Sequence, residues 1–158
     1  MPNLAPCLWF DRQAEDAAKF YCAIFPNSRI GTIARYPEGF PGDRAGEVMT
    51  VEFELDGKPF TGLNGGPDFK FSEAISFQID VQDQAELDRY WNALLADGGQ
   101  ESVCGWLKDR FGLSWQVVPV QLGKLMADPD RDAAGRVAAA MMKMVKLDIA
   151  VLEAAAKG

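Results

Sequence analysis

The chain contains no histidine. That removes the side chain most often used as a general base near neutral pH and as a nitrogen ligand to zinc, iron or nickel. Cysteine is scarce too. Cys7, Cys22 and Cys104 are odd in number and stand at no metal-binding spacing, so neither a disulfide scaffold nor a thiolate cluster is expected. No apolar run approaches the roughly 20 residues of a membrane-spanning helix, and Met1-Pro2-Asn3 lacks the basic, then apolar, layout of a secretory leader. A cytoplasmic protein with no membrane partner is the expectation. Positive charge is also in deficit, 16 basic against 23 acidic side chains, for a net charge of −7 and a pI near 4.6. Such a surface repels phosphate backbones, so nucleic acid is not an expected partner.

What is present fits one compact domain spanning 1–158, since 48% of the 158 residues are hydrophobic and 25% are charged. Gln13-Ala14-Glu15 recurs as Gln84-Ala85-Glu86, an offset of 71 residues, and each copy follows an apolar run and opens an aromatic-bearing helix. A period near 70 residues is too long for a solenoid, so two copies of one supersecondary module are expected, 1–71 and 72–119.

Within the first copy, Leu4 to Phe10 reads as a strand and Asp11 to Phe25 as a helix stopped by Pro26-Asn27-Ser28. Arg29 to Tyr36 is a second strand, and Pro37 to Gly46 a flexible loop. Glu47 to Leu55 alternates, with Met49, Val51, Phe53 and Leu55 on one face and Val48, Thr50, Glu52 and Glu54 on the other. Asp56-Gly57 suits a tight turn, which sends Lys58 to Asn64 back antiparallel. The second copy opens with Ala74 to Val81 and a helix from Gln84 to Ala96. Strands over Glu101 to Lys108 and Leu113 to Val118 follow, joined at Asp109 to Gly112. Residues 120–158 are alanine-rich and helical, with Val137, Met141, Met144 and Val145 as an apolar stripe at helical spacing. Trp9, Phe20, Tyr21, Tyr90 and Trp91 sit at core spacing. The whole reads as an α+β chain of two tandem βαβββ modules with a C-terminal helical extension.

The phrases LWFDRQAEDAAKFYCAIFPNS, LNGGPDFKF, AISFQIDV and CGWLKDRFGLSWQVVP resemble the PhnB-like family of the vicinal oxygen chelate (glyoxalase/bleomycin resistance) superfamily. That family is often labelled 3-demethylubiquinone-9 3-methyltransferase. The likeness runs from Pro6 to Val151. It implies that each module curls into half a cup and that the paired modules enclose a pocket, which in many relatives holds a divalent metal. Homodimers are common in the superfamily. On this resemblance Gln116 stands where a metal-ligating Glu would sit, Ala74 where a His would, and Pro6 or Cys7 on the first strand. An amide, an alanine and a proline or thiol do not make such a site, so no metal and no cofactor are expected.

Strand parity then lines the cup with Thr50, Glu52, Ser76, Gln78, Ser114 and Gln116, with Asn64 and Cys104 at the rim and Trp9 or Trp106 as apolar walls. A neutral, hydrogen-bonding lining suits a small organic ligand. The same polar residues also suit mutual hydrogen bonding or solvation, and Glu52 is either solvated or a general base. Cys104 is a candidate nucleophile that lacks any histidine to activate it. The glycines of Gly62-Leu63-Asn64-Gly65-Gly66-Pro67 lead into no helix and so read as a turn rather than a nucleotide or methyl-donor loop. Three functions follow: a metal-free binding protein whose catalysis, if present, rests on Glu52; a metal-dependent isomerase, lyase or dioxygenase with a site rebuilt from Glu52 and Cys7 or Cys104; or methyl transfer to a quinone-like phenol.

Overall fold

The computed structural model describes Pro2 and residues 4–158; Met1 and Asn3, which entered the leader argument, lie outside the described residues. The chain divides into two units, Met1–Phe71 and Ser72–Gly158. Among the described residues no helix is long and apolar enough to cross a membrane.

The first unit contains β1 (Cys7–Phe10), α1 (Ala14–Ile24), β2 (Arg29–Arg35), β3 (Val48–Leu55) and β4 (Lys58–Asn64), in a four-stranded sheet ordered β1-β4-β3-β2. β1 runs parallel to β4 and the other pairs are antiparallel. Asp56 and Gly57 both take positive φ, 48° and 71°, which a two-residue hairpin of the primed type requires. α1 buries Ala14, Ala17, Ala18 and Tyr21, one face of a 3.6-residue period. The alanines let the helix lie close: a Cβ on Gly62 of β4 would come within 3.1 Å of Ala14 Cβ. Under the helix, Phe53 stacks between Tyr21 and Phe60 at 6.3 and 5.4 Å.

The second unit holds β5 (Ser76–Val81), α2 (Gln84–Leu95), β6 (Gln100–Glu101), β7 (Trp106–Lys108) and β8 (Ser114–Pro119), ordered β5-β8-β7-β6 with β5 parallel to β8. α2 buries Leu87, Tyr90, Trp91 and Leu94, the same spacing as in α1, and Asp83 caps it by accepting from the Glu86 N–H. Three helices follow: α3 (Val120–Met126), α4 (Arg131–Met141) and α5 (Ile149–Lys157).

Three expectations are corrected. The strand foreseen over Glu101 to Lys108 is broken, because Cys104 and Gly105 take left-handed φ of 58° and 82° and turn the chain between β6 and β7. The stripe Val137, Met141, Met144, Val145 does not continue along one helix. α4 ends at Met141, and the carbonyls of Met144 and Val145 instead accept from the amides of Cys104 and Gly105 at 2.8 Å each. The two Gln-Ala-Glu copies also differ in role. Gln13 precedes its helix and is exposed. Gln84 lies inside α2, donates to Leu147 O and accepts from Ile149 N, clamping the C-terminal segment. The expected loop at 37–46 is tied down by Arg44, which donates to Asn64 O at 3.1 Å, pairs with Glu47 at 3.0 Å and lies over the Tyr36 ring.

Candidate functional site

Each sheet turns its apolar parity to a helix, and this decides where the polar parity goes. In the first unit Val51, Phe53 and Leu55 are buried on the α1 side, so Thr50, Glu52 and Glu54 emerge on the opposite face. The hairpin register sets Thr50 opposite Leu63, Glu52 opposite Thr61 and Glu54 opposite Pro59. Arg29 adds a cation by pairing with Glu54 at 2.7 Å. This face opens into a concavity of about 560 Å³, bordered by Arg29, Gly31, Glu52, Glu54, Phe60 and Thr61. Glu52 is exposed there.

In the second unit Val81, Leu107, Trp115 and Val117 are buried, and the alternate residues form the opposite face. Register aligns Ser76 with Ser114, Gln78 with Gln116, and Trp106 with Gln116 across the neighbouring strand. Gln116 Nε2 donates to Ser76 Oγ at 2.9 Å and Gln78 Nε2 to Asp80 Oδ1 at 2.7 Å. Ser114 is 1% exposed, and its Oγ has no hydrogen-bond partner among the described residues. A cavity of about 140 Å³ adjoins it, bordered by Glu73, Gln100, Glu101, Trp106 and Lys108. At this cavity Lys108 Nζ pairs with Glu73 at 2.6 Å, and that hydrogen bond holds the Glu73 carboxyl below its ordinary range.

Thus Thr50 and Glu52 share one face in the first unit, and Ser76, Gln78, Trp106, Ser114 and Gln116 share one face in the second. Asn64 and Cys104 stand apart. Asn64 is 3% exposed on the α1 side, where its Oδ1 accepts from the Ala14 N–H at 2.9 Å and its Nδ2 donates to Val48 O. Cys104 belongs to the turn that holds the C-terminal segment, its Sγ 3.7 Å from Met142 Sδ. Trp9 donates from Nε1 to Gly66 O and packs edge-on against Phe69 at 4.9 Å. Its ring leaves no room for a Cβ at Gly65, which would lie 2.3 Å away. That contact accounts for the glycine run as a packed turn. Cys22 is half-buried on α1, and burial pushes its thiol up.

Sequence reasoning missed Thr61, Lys108, Glu73 and Asp109. Thr61 and Lys108 were discoverable from register, since they oppose Glu52 and Ser114. Asp109 is 2% exposed, and its carboxylate accepts from the amides of Phe111 and Leu113 and from Trp115 Nε1. A polar residue in a turn normally reads as solvated, so nothing in the sequence marked it as buried.

The metal held by many proteins of this fold can be tested against these donors. Gln116 and Gln78 are neutral amides already committed to neighbours, Ala74 offers no donor, and Cys7 is an isolated thiol. No group of three or more His, Cys, Asp or Glu able to hold an ion occurs among the described residues. The donor set does not fit that metal.

Residues 2–118 match the family model described as 3-demethylubiquinone-9 3-methyltransferase. No curated protein matches the chain. Among solved structures, the chain is similar to a putative 3-demethylubiquinone-9 3-methyltransferase, the PhnB protein of Bacillus cereus. The identity is 29% and the TM-score 0.66, over 75% of this chain and 100% of that one. A protein of Pseudomonas aeruginosa is similar in fold at 20% identity and a TM-score of 0.62, over 75% of this chain and 98% of that one. So is the fosfomycin resistance protein of Listeria monocytogenes, at 12% identity and a TM-score of 0.51, over 75% of this chain and 93% of that one. Tandem βαβββ units and a family match across residues 2–118 converge: the chain belongs to the PhnB-like 3-demethylubiquinone-9 3-methyltransferase family of the glyoxalase fold.

Proposed function

We propose that the protein binds a small organic molecule on the helix-free polar faces of its sheets, without the divalent metal of its fold relatives, and that any catalysis there falls to Glu52. One observation carries this reading. In both units the polar parity gathers on the face turned away from the helix: Thr50, Glu52, Thr61 and the Arg29–Glu54 pair in the first, and in the second a set of hydroxyls and amides in which Gln116 orients Ser76 and Asp80 orients Gln78. Preorientation of this kind lowers the entropy lost when a ligand is ordered against them. A homodimer in the cytoplasm belongs to the same reading, on the habit of the superfamily the chain resembles, and sedimentation at micromolar concentration tests the dimer.

The experiment is native mass spectrometry together with elemental analysis of protein purified without a histidine tag. A co-purifying organic mass and less than about 0.1 equivalent of metal support a metal-free binder. Stoichiometric transition metal would overturn it in favour of a metal-dependent enzyme whose site is rebuilt around Glu52 and a cysteine.

Methyl transfer is the second reading, and the description of the family and of the Bacillus cereus relative as 3-demethylubiquinone-9 3-methyltransferases favours it. Against it, the glycine run is packed under Trp9 and continues into a turn rather than a helix, so it offers no helix N-terminus to a methyl donor. Thermal unfolding with millimolar S-adenosylmethionine decides the matter: a concentration-dependent rise in Tm supports methyl transfer, and no rise removes it.

A further inference from the structure

We infer that the cavity beside Ser114 is a subsite for an uncharged molecule of single-ring size that brings one hydrogen-bonding group, a proposal that rests on the ligand-binding reading above. Three observations specify that chemistry. The first is size: the cavity measures about 140 Å³, close to the roughly 150 Å³ that accommodates benzene in an engineered protein cavity.

The second is the hydroxyl. Ser114 is 1% exposed and its Oγ has no partner among the described residues, although buried hydroxyls are nearly always hydrogen-bonded. Its neighbours do not serve it. Gln116 Nε2 donates to Ser76 and Lys108 Nζ to Glu73, and neither bonds the Ser114 oxygen, which a ligand group is left to complete.

The third is charge. Lys108 is neutralised by Glu73 at 2.6 Å, and the Glu101 carboxylate accepts from Trp91 Nε1 at 3.1 Å. An anion entering here would meet two carboxylates and one ammonium. A cation would compete with Lys108 for Glu73 or with the indole for Glu101. A neutral ring disturbs neither pair, lies along the half-buried Trp106 side chain and directs its polar group to Ser114.

The test uses the full-length chain labelled with ¹⁵N and titrated separately with phenol, toluene and benzoate at pH 7, followed by amide chemical shifts. Phenol should shift Trp106, Lys108 and Ser114 saturably, toluene should shift the same amides at lower affinity, and benzoate should leave them in place. Ser114→Ala should weaken phenol roughly two- to tenfold and leave toluene unchanged, which also shows that the variant's cavity is intact. Equal affinities for phenol and toluene in both proteins, or saturation of these amides by benzoate, would overturn the inference. If a co-purifying ligand shifts the open faces while phenol does not shift Ser114, only this subsite falls. If no organic molecule shifts either face, the broader reading falls with it.

Discussion

Asp109 sets the turn that faces Lys108 toward Ser114, and its removal should be the most damaging single change in the second unit. The carboxylate accepts from the Phe111 and Leu113 amides at 2.9 and 3.1 Å and from Trp115 Nε1 at 2.9 Å. Asp109→Ala strands two of these donors, Leu113 N and Trp115 Nε1, in a buried environment. At about 1–3 kcal/mol for each unsatisfied buried donor, the gross loss is about 2–6 kcal/mol. Part is offset because the variant no longer buries a carboxylate, so a net loss of about 3 kcal/mol is expected. Urea unfolding followed by tryptophan fluorescence measures it. Asp109→Asn keeps an acceptor for the two amides but turns the third contact into donor against donor, and should fall about midway. A double variant that also carries Trp115→Phe should lose less than the sum of the single changes, since the stranded indole donor is gone. An Asp109→Ala variant within about 1 kcal/mol of the parent would refute the reasoning and mean that water replaces the carboxylate freely.

Gly65→Ala should destabilise the first unit by about 1–3 kcal/mol, because the added methyl would stand 2.3 Å from the Trp9 ring; a blunted Trp9 signal in the unfolding curve checks it. Gln84→Ala should release the C-terminal segment by removing the Ile149 and Leu147 contacts, read as faster amide exchange through α5 with α2 still protected. Acid should weaken the same junction. Hydrogen bonding to Lys146, and secondarily to Gln84, holds the folded Asp88 carboxyl below its unfolded value of 3.8. The contribution is therefore complete above about pH 5 and disappears as pH falls through the folded pKa. Lys146→Met should flatten the dependence of stability on pH below about 5, and an unchanged acid limb would count against the pair.

Period-two and period-3.6 patterns made most of the fold legible. Val51, Phe53 and Leu55 went under α1 because their alternation was clean, and Asp56-Gly57 announced its hairpin through the positive φ it requires. The same parity gathers Ser76, Gln78 and Gln116 on one face. It failed where a local rule hid the backbone. Cys104 takes a left-handed conformation that the other non-glycine cases among the described residues reserve for Asn and Asp, so only Gly105 hinted at the turn. The methionine stripe kept its spacing past the end of α4, since no proline or glycine marks the stop at Met141. The Gln-Ala-Glu likeness pointed to a real duplication through residues that are not structural equivalents. Buried faces align Ala14 with Leu87, an offset of 73 rather than 71, so α1 starts about one turn later on its own face than α2 does.

That late start explains why Asn64 is not with the polar face. α2 opens on Asp83, whose carboxylate caps the Glu86 amide, whereas Gln13 at the head of α1 caps nothing with its side chain. Asn64 supplies the missing acceptor from the end of β4, and its other amide atom holds Val48 O at the start of β3, so one side chain ties the helix to two strands. The strand registers pair Phe10 with Asn64 and Val81 with Pro119, which makes Pro119 the counterpart of Asn64. Where the second unit needs no such cap, the chain leaves the sheet into α3. Asn64→Ala should therefore lower the stability of the first unit by about 2–3 kcal/mol, a lost cap of about 1 kcal/mol plus an unpaired Val48 carbonyl. Asp83→Ala should lose only about 1 kcal/mol, because an exposed cap is partly replaced by water. Asn64→Asp, which keeps the acceptor and loses the donor, should fall between Asn64→Ala and the parent in thermal unfolding. Equal losses for Asn64→Ala and Asp83→Ala would mean that the link to β3 contributes nothing and that Asn64 is free for another role.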